Sequence, residues 1–161
     1  EELAMKVGSD VPFFIKNKTA RVGGKGNKVE LVENNLKDSL ILVKPLGFGV
    51  STKDAYNSFD ELDEVRYANF EKIVECLRND NRKDLEKYIE NGLEQGISER
   101  NADIKMFKAI LNSVVPGKKF FMSGSGSTYY TFVTEIERSQ IETRLRTFVD
   151  NVKIIISKTI N

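Results

Sequence analysis

Apolar positions recur at helical spacing through the middle of the chain and alternate near its end. Phe70, Ile73, Val74 and Leu77 form one stripe, and Leu85, Tyr88, Ile89 and Leu93 form a second. Ile104, Phe107, Ile110, Leu111 and Val114 form a third, stopped by Pro116–Gly117. Each stripe predicts an amphipathic helix with one face toward a core. A shorter helix is expected from Thr52, as N-cap, through Phe59, with Asp54 in its first turn. Ile141, Leu145, Phe148 and Val152 predict a last helix. Alternation in "VELVE" predicts a strand, and "SLILVKP" at 39–45 reads as a buried strand ended by Pro45. "KKFFM" and "TYYTFV" read as two strands joined by "SGSGS", and "VKIIISK" as another. Residues 1–7 read as a helix end, "PFFIK" and "TARVG" as short extended segments, and "GGKGNK" as a turn-rich loop. This order of elements predicts an α+β fold, with helices layered over a mostly antiparallel sheet.

Composition narrows the chemistry. The 161 residues are 40% hydrophobic and 30% charged, which fits a globular protein with a real core. Lys plus Arg is 25 against 24 acidic residues, a balance that argues against a dedicated nucleic-acid binder. No apolar run approaches the roughly 20 residues that cross a bilayer, and no membrane role is expected. There is no His, so Ser-His-Asp and Cys-His catalysis and His-ligated metals are excluded within this sequence. Cys76 is the only Cys and shares a helical stripe with Ile73, Val74 and Leu77. It reads as a core thiol, in keeping with a reducing cytoplasm. "EELAMKV" reads as the end of a helix, which suggests that the sequence starts inside a larger protein.

Three stretches carry candidate chemistry. In "KVGSDVPFF", residues 6–14, Asp10 stands between a helix stop at Gly8 and a Pro-anchored apolar run; alone, the stretch is compatible with ordinary turn chemistry. In "MSGSGST", residues 122–128, alternating Gly and Ser expose backbone N–H groups and hydroxyls, which suits close approach to a phosphate and also suits a plain hairpin loop. It is neither a Walker A motif nor G-x-G-x-x-G. "GFGVSTKDAY", residues 47–56, runs from a strand end into a helix and brings hydroxyls and the Tyr56 ring to one rim. Tyr56 is equally compatible with a core position.

Taken in order, "GSDVPFF", "TARVGGKG", "KPLGFGVSTKDAY" and "MSGSGSTYYTF" resemble the 4-diphosphocytidyl-2-C-methyl-D-erythritol kinase family. That family sits in the superfamily of galactokinase, homoserine kinase, mevalonate kinase and phosphomevalonate kinase. "NGLEQ" at 91–95 looks like its Asn-x-Leu-Glu helix segment. The resemblance implies ATP-dependent phosphorylation of the 2-hydroxyl of 4-diphosphocytidyl-2-C-methyl-D-erythritol, in non-mevalonate isoprenoid biosynthesis in the cytoplasm. It implies Asp10 as the catalytic residue, Tyr56 as the ring that stacks on cytosine, and Thr52 as a hydroxyl on the same rim. It places Gly124, Ser125, Gly126 and Ser127 beside the phosphates. Mg²⁺ is expected with ATP, although no ligand for it is identifiable. The family's N-terminal Lys motif and its long phosphate-binding loop, "P-x-x-x-G-L-G-G-G-S-S", do not occur in these 161 residues. The sequence is therefore expected to be a C-terminal portion: 1–36 a strip of the nucleotide-binding domain, 37–161 the second kinase domain. The missing N-terminal half is then its partner, and the piece alone is expected to be inactive. Another small-molecule kinase of the superfamily and a non-catalytic α+β binding module are the alternatives.

Overall fold

A computed structural model describes residues 2–159. The first elements are two short helices, α1 (Glu2–Val7) and α2 (Val11–Lys16), and a hairpin of β1 (Ala20–Gly23) and β2 (Lys28–Leu31). The helix end expected over residues 1–7 is α1. The extended segment expected over "PFFIK" is instead the helix α2. Asp10 occupies its N-cap and Pro12 lies in its first turn, where the fixed φ suits a helix and no intrahelical N–H bond is lost. Asn17 ends α2 in the left-handed conformation, at φ 46°.

The rest is built around β3 (Ser39–Pro45). It pairs antiparallel with β5 (Tyr129–Val133) on one side and β6 (Val152–Lys158) on the other, so that Ile41 faces Thr131 and Ile156. A short β4 (Phe121–Met122) adds to β5, giving the order β4-β5-β3-β6. Only two residues of "KKFFM" pair, and Val152 belongs to β6 instead of the preceding helix. The helices are α3 (Thr52–Asp60), α4 (Phe70–Arg78), α5 (Arg82–Tyr88), α6 (Gly92–Arg100), α7 (Ala102–Val114) and α8 (Glu135–Phe148).

Side-chain caps set the helix starts. Asn69, Asn81, Asn91 and Asn101 each accept hydrogen bonds from first-turn backbone N–H groups of α4, α5, α6 and α7. The end of α5 at Tyr88 and the Asn91 cap also divide the second apolar stripe, so Leu85 and Tyr88 lie on α5 and Leu93 on α6. Thr134 and Glu137 form a reciprocal capping box on α8. The N-cap of α3 is Ser51, whose hydroxyl accepts from Asp54 N; Thr52, expected as the cap, is the first helical residue.

The sheet alternates side chains between two cores. Ile41, Val43, Met122, Tyr129 and Val133 point into the larger one, packed with Ile97, Ile104, Phe107, Leu111, Ile141 and Leu145 of α6, α7 and α8. Phe121 and Phe132 point the other way, against Leu36, Cys76 and Leu85, with Leu40 and Tyr130 alongside. The α+β layering of helices over an antiparallel sheet is thus as expected, and α4 and α5 cover part of the opposite face. Asn35 N donates to Leu77 O, and the Arg21 guanidinium lies 4.3 Å from the centre of the Phe70 ring, so the β1–β2 region leans on α4. Among the described residues, no helix is long and apolar enough to cross a membrane.

Candidate functional site

The turn between β4 and β5 is the "SGSGS" loop. Ser123 N donates to Thr128 O at 2.8 Å, and Gly126 N to Ser123 O at 3.0 Å. Gly124 (φ 55°) and Gly126 (φ 91°) hold conformations that a side chain resists. A Cβ on Gly126 would also stand 2.7 Å from Met122 Sδ, whereas one on Gly124 would meet open space. The backbone at Gly124 is therefore accessible for close approach.

The loop is held from beneath by α6. Asn91 Oδ1 accepts from Leu93 N and Glu94 N, which caps the helix. Its Nδ2 donates to Met122 O and Gly124 O, both at 2.9 Å. Three residues on, buried Glu94 accepts from Met122 N at 3.2 Å and pairs with Lys108 Nζ at 2.6 Å. Burial pushes the Tyr129 hydroxyl pKa up, and the neighbouring Glu94 carboxylate adds to the effect. Tyr130 is pushed up to about 12, by burial first and then by Glu94. Both phenols are therefore neutral structural groups at physiological pH.

From above, α3 meets the loop. The Thr52 and Ser125 hydroxyls share a hydrogen bond of 3.3 Å. Ser127 Oγ donates to the Phe48 carbonyl at 3.5 Å, tying the loop to the segment that enters α3. α3 crosses α6 at close range through Gly92 and Gly96. A Cβ at Gly96 would stand 2.6 Å from Phe59 N and from the Ser58 carbonyl, and one at Gly92 would strike the Phe59 ring. Ala55 and Ser58 are buried in this contact, which leaves Tyr56 on the outer face, 54% exposed. The core alternative for Tyr56 is thereby removed.

Asp10 is exposed at the α2 N-terminus, with no side-chain cap hydrogen bond. The hairpin turn packs on its neighbour: a Cβ at Gly26 (φ 92°) would collide with the Ser9 carbonyl. The structure brings Thr52, Ser125 and Ser127 together and sets Tyr56 one helical turn from Thr52. Among the described residues, no hydrogen bond or ion pair joins Asp10 to that group. No three Asp, Glu, His or Cys side chains among them could hold a metal ion.

The residues that organise the loop, Asn91 and Glu94, were seen in the sequence only as part of a family segment. Gln95, in the same segment, holds a different stretch: its amide donates to Arg66 O at 2.7 Å and accepts from Arg66 N at 2.9 Å. An Asn before "GLE" signals a helix cap, which explains half of what Asn91 does. Nothing in the sequence signals that its other amide face meets a loop 31 residues away.

No family model matches the chain. It is 76% identical, over all 161 residues, to a 4-diphosphocytidyl-2-C-methyl-D-erythritol kinase of Fusobacterium nucleatum, of which it spans 55%. A protein of the same name from Clostridium botulinum is 33% identical over 147 residues, 88% of this chain and 50% of that protein. The chain thus spans about half the length of the curated relatives it matches. The fold is similar to a crystal structure of 4-(cytidine 5'-diphospho)-2C-methyl-D-erythritol kinase, with a TM-score of 0.75 and 22% identity, covering 99% of this chain and 56% of that one. It is also similar to homoserine kinase from Cytophaga hutchinsonii, with a TM-score of 0.62 and 17% identity over 83% of this chain and 45% of that one.

Proposed function

We propose, for a chain that belongs to the 4-diphosphocytidyl-2-C-methyl-D-erythritol kinase family and matches about half of such a protein, that it is the C-terminal portion of that kinase. The whole protein then transfers the γ-phosphate of ATP to the 2-hydroxyl of 4-diphosphocytidyl-2-C-methyl-D-erythritol, in cytoplasmic non-mevalonate isoprenoid synthesis. The observation that carries this is the 76% identity to the Fusobacterium protein over all 161 residues. Residues 1–36 are a strip of the nucleotide-binding domain and 37–161 the second domain.

Phosphoryl transfer depends mainly on positioning and on stabilising charge. Asp10 accepts the proton of the 2-hydroxyl while that oxygen bonds to the γ-phosphorus, and the bond from phosphorus to the ADP oxygen breaks. Its exposed side chain, not engaged in capping α2, is available for this role. Tyr56 offers a ring face to cytosine, and Thr52 a hydroxyl beside it. Gly124 to Ser127 lie beside the ATP phosphates, where the open backbone at Gly124 suits close approach. Mg²⁺ would accompany ATP and neutralise phosphate charge; the described residues supply no cluster of three carboxylate or thiol groups for it.

The test is turnover by the full-length protein that carries this sequence, with the cytidine substrate and MgATP and with the phosphorylated position read by phosphorus NMR. Product bearing phosphate on the 2-hydroxyl is expected. Asp10→Asn should lower turnover by roughly 10²–10⁴-fold, the range for a positioned base, with thermal unfolding unchanged. The 161-residue chain alone should be inactive. Wild-type turnover with mevalonate or homoserine but not the cytidine substrate would refute the assignment.

A further inference from the structure

Asn91 uses its two amide faces on two different structures. The oxygen caps α6, while the nitrogen holds two carbonyls where β4 enters the glycine–serine loop, Met122 O and Gly124 O, at 2.9 Å each. Glu94 completes the grip by accepting from Met122 N. Without these bonds, the loop retains its own turn hydrogen bonds and two hydroxyl contacts on the rim, at 3.3 and 3.5 Å. Two glycines in left-handed backbone give it little stiffness of its own. The α6 helix is in turn fixed against α3 through Gly92 and Gly96. Asn91 therefore joins the loop to the same rigid pair of helices that carries Thr52 and Tyr56.

We propose that Asn91 is a positioning residue: its side-chain amide sets the height of the Gly124–Ser127 backbone against the α3 rim, and phosphoryl transfer depends on that setting. The inference rests on the kinase reading above, since it assigns the loop a place beside the phosphates. Asn91 itself touches no reacting atom.

Ser and Asp rank with Asn as helix N-caps, so Asn91→Ser and Asn91→Asp both keep the α6 start while removing the amide donor. Asp also turns a carboxylate oxygen toward two carbonyl oxygens. In the full-length protein, three readouts separate the roles: thermal unfolding, amide hydrogen exchange at 123–127, and kcat and KM for each substrate. The Ser variant should unfold within a few degrees of the wild-type temperature and the Asp variant lower, since it also places like partial charges together. Exchange at the Ser123 and Gly126 amides, which donate within the turn, should quicken roughly tenfold or more as the loop opens without its two anchoring hydrogen bonds, with α6 amides unchanged. The kcat should fall roughly tenfold for Ser and further for Asp, with KM for the cytidine substrate held. Unchanged loop exchange would overturn the clamp, and a loosened loop with normal kcat would overturn its link to the chemistry. Equal losses in Ser and Asp that follow a fall in unfolding temperature would mean that Asn91 is a cap alone. A wild-type protein with no kinase activity would sink the functional reading and the catalytic half of this inference, while the exchange measurement would still decide the clamp.

Discussion

At the scale of one residue, Tyr56 separates recognition from stability. It is 54% exposed on a helix whose inward positions are Ala55 and Ser58. A large aromatic ring held outward loses contact with the core and gains nothing for the fold in isolation. It is well placed to stack on a flat ligand, and base–aromatic stacking is worth about 1–3 kcal/mol. Tyr56→Ala in the full-length protein should therefore raise KM for the cytidine substrate roughly tenfold or more, and leave KM for ATP and the unfolding temperature nearly unchanged. Steady-state kinetics with each substrate varied in turn checks this, and an equal effect on both substrates would contradict a cytosine-specific role. Phe in place of Tyr56 should retain most of the affinity, because stacking uses the ring face and not the hydroxyl.

At the scale of elements, the glycines of α6 set how closely it packs on α3. Gly-to-Ala changes inside helices ordinarily stabilise by up to about 1 kcal/mol. At Gly96 the added methyl would meet the backbone of Ser58 and Phe59 at 2.6 Å, and backbone cannot rotate aside as a side chain can. Overpacking costs about 1–3 kcal/mol, so the clash should win. Gly96→Ala should lower the urea midpoint and displace α3, carrying Thr52 away from Ser125. A raised midpoint would show that the helices are less closely packed than described. α4, α5 and α7 were legible in the sequence because their stripes carry the 3.6-residue period, α3 through its capping residues, and β3 because a continuous apolar run ends at a proline; α6 was not read as a separate helix, because only Leu93 of the second stripe falls on it. α2 was not legible: six residues are too few to show a period, and Pro12 is compatible with both an extended start and a first helical turn. The site was legible only as separate stretches. That Thr52 meets Ser125, or that Asn91 holds Met122 and Gly124, depends on contacts across 73, 31 and 33 residues, which local patterns do not encode.

At the scale of the whole molecule, a charge network joins the two faces of the sheet. Glu137 Oε2, at the start of α8, accepts from Thr134 N and Thr134 Oγ1 at 3.0 and 3.1 Å, from Lys118 Nζ at 2.9 Å, and from Arg82 of α5 at 3.3 Å. Arg82 reaches on to Asp38, just before β3, at 3.0 Å, and to Glu86 at 3.9 Å. Burial pushes Glu137 upward, but the Thr134 and Lys118 hydrogen bonds outweigh it and hold the carboxyl at about 2. An unfolded Glu titrates near 4.3. The folded state thus binds this proton more weakly, and the stabilisation from Glu137 is complete above the unfolded value. It is lost as pH falls from there toward 2. Asp38 and Glu86 act in the opposite sense: burial raises both despite Arg82, so protonating them in mild acid relieves a cost of folding. Comparing Glu137 with Gln at the same position isolates the first effect. At neutral pH, Glu137→Gln should unfold several degrees lower, because Lys118 and Arg82 lose a shared anion while α8 keeps its Thr134 cap. As pH falls from about 5 toward 2, the two unfolding temperatures should converge, since protonation brings the wild-type carboxyl to the same neutral state. Parallel curves over that range would show that another group governs the acid limit and that this junction between α5 and α8 contributes little to holding the two layers together.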